Sequence, residues 1–154
     1  MKRKDRSSLF FSVSFSKGFV APNIPIATFK HGDLILNFLL DSGADRNSID
    51  SRMLGKIRHS MAEDDTTVTL TGVGGTVDVK NCSLTFRTIG EDKEYKADFL
   101  IADLKEPFDQ LYETHGIQLH GIIGSQFMRK HHVVLDFQNL AAYTSPTALA
   151  QNKL

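Results

Sequence analysis

Alternation of apolar and polar positions runs through most of this chain, and helical periodicity is confined to short stretches. Phe11, Val13 and Phe15 fall on one face of a first strand behind a basic tail. Ile24 to Phe29 and Leu34 to Leu40 read as two strands joined by the turn-forming Lys30-His31-Gly32-Asp33, a hairpin. Thr67 to Thr71 and Thr76 to Val79 flank the glycine-dense tip Gly72-Val73-Gly74-Gly75, a second hairpin whose tip is free to adopt positive φ. Cys82 to Phe86 and Tyr95 to Ile101 alternate on either side of the charged turn Gly90 to Glu94, and Val133 to Phe137 and Leu140 to Tyr143 close the chain as a last hairpin.

Helical signals are fewer. Asn47 or Ser48 can cap a helical turn through Asp50 to Leu54, and Ser125 can cap a helix over Gln126 to His131. Phe108 and Leu111-Tyr112 at helical spacing, stopped by Gly116, predict a short helix or an ordered loop over 106–115. His59 to Asp65 is polar and acidic, which predicts a surface loop. The resulting expectation is an all-β domain over 8–143 with one or two short helices, between a basic tail (1–7) and a polar tail (144–154).

Composition narrows the class. At 154 residues, 41% hydrophobic and 23% charged, the chain is the size of one domain able to bury a core. Its 18 basic and 18 acidic residues cancel, so net charge favours neither nucleic acid nor an anionic membrane as partner. The single Cys82 has no partner for an internal disulfide, consistent with a reducing compartment. The basic start followed by Leu9-Phe10-Phe11 imitates a signal peptide, but Ser12, Ser14 and Ser16 interrupt it, and no stretch reaches the roughly 18 apolar residues of a membrane span. A cytoplasmic location is expected.

One stretch stands out chemically. Phe38-Leu39-Leu40 runs as a buried strand and then stops at Asp41-Ser42-Gly43-Ala44-Asp45. A carboxylate at the end of an apolar strand costs free energy unless it is partnered, and Gly43 lets the backbone turn sharply and approach another group closely. Asp41 is therefore placed for chemistry.

Leu39-Leu40-Asp41-Ser42-Gly43-Ala44-Asp45 resembles the signature of retropepsin-like aspartic proteases, two apolar residues followed by Asp-Ser/Thr-Gly-Ala. The hairpin over Thr69 to Val77 stands where that family carries its flap. Gly121-Ile122-Ile123-Gly124, the helix after it and Val133 to Phe137 resemble the family's C-terminal block. The resemblance spans about 22–143 with the blocks in order, and it implies an acid-protease barrel with a Gly-rich flap and no cofactor. It further implies Asp41 as the catalytic acid, oriented by Ser42 and Gly43, and substrate contacts from Ala44, Asp45 and the flap residues Gly72, Val73, Gly74 and Gly75. Gly121, Ile122, Ile123 and Gly124 are implied as scaffold beside the catalytic loop. Two departures are visible: Ser125 replaces the charged residue that retroviral members carry after the second glycine, pointing to a cellular branch, and 106–119 is an insertion.

Hydrolysis in this family uses two carboxylates around one water, sharing a proton because close like charges do not both ionise readily. The chain supplies one Asp-Ser-Gly; Leu135-Asp136-Phe137 lacks both the hydroxyl and the glycine. The expectation is an aspartic endopeptidase acting on peptide or protein substrates as a homodimer, each copy giving one Asp41. The alternative is a catalytically silent module of the same fold that binds peptides, and a third reading is an unrelated barrel with a chance Asp-Ser-Gly. Among six histidines, the adjacent His131 and His132 point in different directions, and His115 and His120 lack ligand partners at a recognisable spacing, so no metal is expected.

Overall fold

Strands dominate residues 12–19, 23–57, 59–61 and 67–144, which are the residues that the computed structural model describes. In chain order they are β1 (Ser12–Ser14), β2 (Ile26–His31), β3 (Leu34–Leu40), β4 (Ser48–Asp50), β5 (His59–Met61), β6 (Thr67–Gly72), β7 (Gly75–Thr88), β8 (Glu94–Ala102), β9 (Gly121–Ile123), β10 (Val133–Asp136) and β11 (Ala141–Thr144). Two α-helices join them, α1 (Lys105–His115) and α2 (Ser125–Lys130). The all-β expectation with short helices holds.

The larger sheet runs β2-β3-β9-β4-β8-β7-β5, and an additional β2–β7 pairing at Phe29↔Thr88 and Lys30↔Arg87 closes β2 through β7 into a ring, with β5 outside it on β7. β3 pairs parallel with β9, and β9 antiparallel with β4. A small separate sheet, β1-β11-β10, carries the described beginning and end of the chain.

Alternation explains the core. Leu36, Phe38 and Leu40 of β3 face inward with Phe29, Leu84, Phe86 and Phe99, all essentially without exposure. The Phe38 ring meets Phe29, Phe86 and Phe99 at centroid distances of 5.7, 5.6 and 5.4 Å. Each such side chain contributes about 1.5–3 kcal/mol by leaving water. A second cluster lies apart from this core: Ile26, Phe108, Ile117 and Leu119, with Ile24, Leu39, Leu111 and Ile122 packed on it. The insertion is therefore a helix with a purpose in packing. Gly116, at φ +69°, ends it in the left-handed conformation and donates its N–H to the Tyr112 carbonyl.

Several expectations need correction. The predicted loop at His59 to Asp65 begins as β5, an edge strand pairing His59–Met61 with Cys82–Leu84 of β7; 62–66 lie outside the described residues. The strands predicted at 76–79 and 82–86 are one continuous β7. The helical turn predicted from Asp50 is displaced, because Ser48–Asp50 pair with β8 and Ser48 and Ile49 also with β9. A short 3₁₀ turn, Ser51–Met53, follows, capped not by Asn47 or Ser48 but by Asp50, whose carboxylate accepts the Arg52 N–H at 3.2 Å. Ser125 is the first residue of α2 rather than its cap; Gly124 holds that position with no side-chain cap. Val13 and Phe15 are buried as the first strand requires, while Phe11 and both tails beyond Thr144 and before Ser12 lie outside the described residues.

Candidate active site

β3 delivers Asp41 to its loop and the backbone fixes it there. Leu40 N–H donates to the Pro25 carbonyl at 2.8 Å and Asp41 N–H to the Ile123 carbonyl at 2.9 Å, so the acid hangs from β9 as well as from its own strand. Gly43 N–H donates to Asp41 Oδ1 at 2.9 Å, and Ala44 N–H closes a turn onto the Asp41 carbonyl at 3.1 Å. Asp41 is half-buried; Ser42 and Gly43 are exposed. Gly43 does not use positive φ. Its lack of a side chain matters instead because a Cβ there would stand 3.2 Å from Asp41 Oδ1, tight enough to disturb the carboxylate.

The loop is braced by the block that the sequence marked as scaffold. Ser125 N–H donates to the Ala44 carbonyl at 2.7 Å and Gln126 N–H to the Asp45 carbonyl at 3.0 Å. These bonds occupy the first free N–H groups of α2, which removes the need for a capping side chain. Gly124 sits so close that a Cβ would meet the Arg46 and Ala44 carbonyls at 2.6 and 2.7 Å, and at Gly121 a Cβ would meet the Ser48 carbonyl at 2.5 Å. Asp45 is held by Gln126 Nε2 at 3.0 Å, with Arg46 at 3.9 Å. Gln126, one residue past Ser125, is thus the side chain that partners the Asp45 carboxylate.

Sequence reasoning missed two residues that matter here. Asn47, buried, accepts the Gly124 N–H on Oδ1 at 2.9 Å, donates from Nδ2 to the Asp98 carbonyl at 3.2 Å and takes the Leu100 N–H on its own carbonyl at 2.8 Å. It joins the Asp41 loop to β8 and to the end of β9 at once. A polar residue two positions past Asp45 was visible but read only as a helix cap. His120 accepts the Asn37 N–H on Nδ1 at 2.9 Å, and its own backbone is shared between the Asn37 carbonyl and the Asp50 N–H. Burial pushes the His120 imidazole below the ordinary histidine range.

Leu39 and Ile122 are register partners on β3 and β9, on the opposite strand faces from Phe38, Leu40 and Ile123, and both belong to the cluster covered by α1. The insertion therefore backs an apolar surface directly next to Asp41. The flap hairpin pairs Gly72 with Gly75 around Val73-Gly74. Only Gly75 of its tip takes positive φ, +113°, and Val73 projects wholly into solvent at 112% exposure. Asp136 is fully engaged in its own turn, its carboxylate accepting from Gln138 N–H, Asn139 N–H and Asn139 Nδ2 at 3.0, 2.9 and 2.7 Å.

Among the described residues no group of His, Cys, Asp or Glu is arranged to hold a metal ion, and no helix is long and apolar enough to cross a membrane. Cys82 is buried, and that burial, followed by the charge of Asp98, raises its thiol pKa.

The aspartyl protease family matches residues 27–127, from β2 through the first half of α2, with Asp41, the flap and the glycine block inside the match. The chain belongs to the aspartyl protease family. The EIAV protease, solved in complex with the inhibitor HBY-793, aligns with 71% of this chain and 89% of its own at 21% identity and a TM-score of 0.47. No curated protein matches the sequence. The match takes in the one Asp-Ser-Gly of the chain, the Gly-rich hairpin and the glycine block whose helix braces the Asp41 loop.

Proposed function

We propose that this aspartyl protease is an endopeptidase working as a homodimer, with one water activated between Asp41 of each copy. The observation that carries the reading is the Asp41 carboxylate itself: half-buried, aligned by the Gly43 N–H at 2.9 Å and hung from the Ile123 carbonyl, on a loop that occurs once in the chain. A carboxylate so aligned can hold a water as base only if a second acid carries the proton for the developing oxyanion. Two further Asp residues follow apolar strands, Asp103 and Asp136, and both accept backbone N–H groups of their own turns, from Lys105 and from Gln138 and Asn139, without the Ser-Gly that follows Asp41, so in this reading the second acid comes from a second copy. The pair titrates as a unit, with the proton shared between the two aspartates.

In this reading Ser42 and Gly43 orient the acid, Ala44 leaves room for a peptide backbone, and Asp45 with the flap residues Gly72 to Gly75 contacts the extended substrate by strand addition. Gly121 to Gly124 hold the loop without touching substrate.

The test is cleavage of a denatured protein mixture from acidic to neutral pH by wild type and Asp41→Asn, with the solution mass measured alongside. The expected result is cleavage by the wild-type dimer and none by Asp41→Asn, whose amide oxygen still accepts the Gly43 N–H and keeps the fold. Equal peptide patterns from the two proteins would leave a peptide-binding module of the same fold, and full activity in a monomer would remove the shared site.

A further inference from the structure

A crevice of about 250 Å³ opens where the catalytic loop runs into β4. Arg46 of the loop, Lys96 and Asp98 of β8, Asn81 of β7, and Lys130 and His131 at the end of α2 are among its walls. Three cations therefore face one carboxylate. Neither Lys96 nor Lys130 has an ion-pair partner among the described residues, and Arg46 reaches Asp45 only at 3.9 Å. Two walls also carry buried polar atoms without any hydrogen-bond partner, Asn81 Oδ1 and His131 Nε2. A buried polar group left without a partner is destabilising, and such groups are rare enough in folded proteins to call for a reason.

The stabilising occupant must bring negative charge for the cations and a donor for Asn81 Oδ1. A peptide brings both, a carboxylate side chain and backbone N–H groups. The volume lies below the ~300 Å³ at which pockets begin to enclose drug-sized ligands, which suits one side chain. Position points the same way. Gln126 lines the crevice and holds Asp45, and Arg46 is the next residue along the loop from Asp45. An extended chain gains about 3.3 Å per residue, so a peptide laid past Asp41 and Asp45 presents a side chain to Arg46 within a few residues of the scissile bond.

We propose that this crevice is an exosite for an acidic side chain of the peptide substrate, on the same protein whose Asp41 we propose as catalytic. It rests on the reading of a peptide in the cleft, but its occupancy is separable from hydrolysis. Arg46 supplies a planar fork for the carboxylate, and Lys96 and Lys130 supply point charges.

The test reads binding without turnover. Full-length Asp41→Asn protein is immobilised, loaded with a randomised peptide pool, and the retained peptides are sequenced; the same is done with K96Q/K130Q added. Both lysines are exposed, so the variant is expected to melt with its parent; R46Q serves as an independent second variant. The retained pool is expected to be about threefold richer in Asp and Glu on the parent, with the excess falling as salt is added and persisting in K96R/K130R. Equal acidic content on parent and K96Q/K130Q, or no retained peptide, overturns the proposal. So does a thermal shift by succinate or inorganic phosphate that K96Q/K130Q abolishes without any acidic enrichment, since the crevice would then serve a free small anion. Acidic enrichment without Asp41-dependent cleavage would refute the hydrolytic reading and leave the exosite standing.

Discussion

Gly124 donates its backbone N–H to Asn47 Oδ1 at 2.9 Å in a fully buried setting, tying the strand-to-helix corner after β9 to the loop that follows Asp41. The same amide spends its Nδ2 on the Asp98 carbonyl. Asn47→Ala leaves the buried Gly124 N–H without its acceptor and removes the Nδ2 bond to the Asp98 carbonyl. The expected cost is about 1–3 kcal/mol, read as a lower urea midpoint, with a loss of cleavage larger than the loss of folded protein because the Asp41 loop loosens with it. An unchanged midpoint would show that the bond carries no load.

The glycines divide into those that the structure requires and those that it does not. At Gly124 a methyl group meets two backbone carbonyls that cannot swing away, whereas at Gly74 nothing stands within 4 Å. Gly124→Ala is expected to cost about 1–3 kcal/mol through forced backbone movement. Gly74→Ala leaves the melting temperature unchanged, and any effect it has is on substrate turnover. Thermal melts of the two variants side by side decide the matter.

Asp50 is almost wholly buried, at 3% side-chain exposure, and is held by Arg52 at 2.7 Å; Arg52 also reaches the half-exposed Asp109 of α1 at 2.8 Å. The two ion pairs are unequal. Arg52→Leu leaves the buried Asp50 carboxylate without its cation and is expected to lower the denaturation midpoint markedly. Asp109→Ala removes a solvated pair worth about 1 kcal/mol at most. Chemical denaturation of the two variants should show that order; a reversal would mean that α1 depends on Asp109 for more than charge.

His120 makes stability depend on pH. Burial lowers its folded pKa below the unfolded value of about 6.5, so the unfolded chain binds the proton first. Stability is therefore complete above about pH 6.5 and is lost as pH falls from there through the folded pKa. Protonation also places a hydrogen on Nδ1, which now accepts the Asn37 N–H. Urea midpoints should drop between pH 7.5 and 5.5, and His120→Gln should flatten that slope. An identical slope in both proteins would assign the loss to other groups, among them His131, which burial lowers as well.

Much of this was legible in the sequence because it was written locally. Asp41-Ser42-Gly43 at the end of an apolar strand, the glycine-dense flap tip and Gly116 after a helical spacing each state their own conformation. What was not legible depended on partners far away in the chain. Ser48 to Asp50 looks like a helix start until β8 and β9 are laid on either side of it, and His59 to Met61 looks like a loop until β7 offers its edge. Asn47 reads as a capping residue because its true partners, Gly124 and Asp98, lie 77 and 51 positions away. Lys80-Asn81 gave no sign of continuing a strand, since β pairing rather than side-chain preference carries β7 through them.

β7 is an unbroken strand of 14 residues whose near end closes the barrel against Phe29 and Lys30 and whose far end is the flap. Side-chain direction along a strand repeats every two residues, so a slip of one would invert every face at once. β7 cannot slip within the hairpin without turning Leu84 and Phe86 out of the core. Adaptation to a new substrate is thus channelled into the hairpin's tip and its side chains, and the barrel acts as the ruler against which the flap's length is measured.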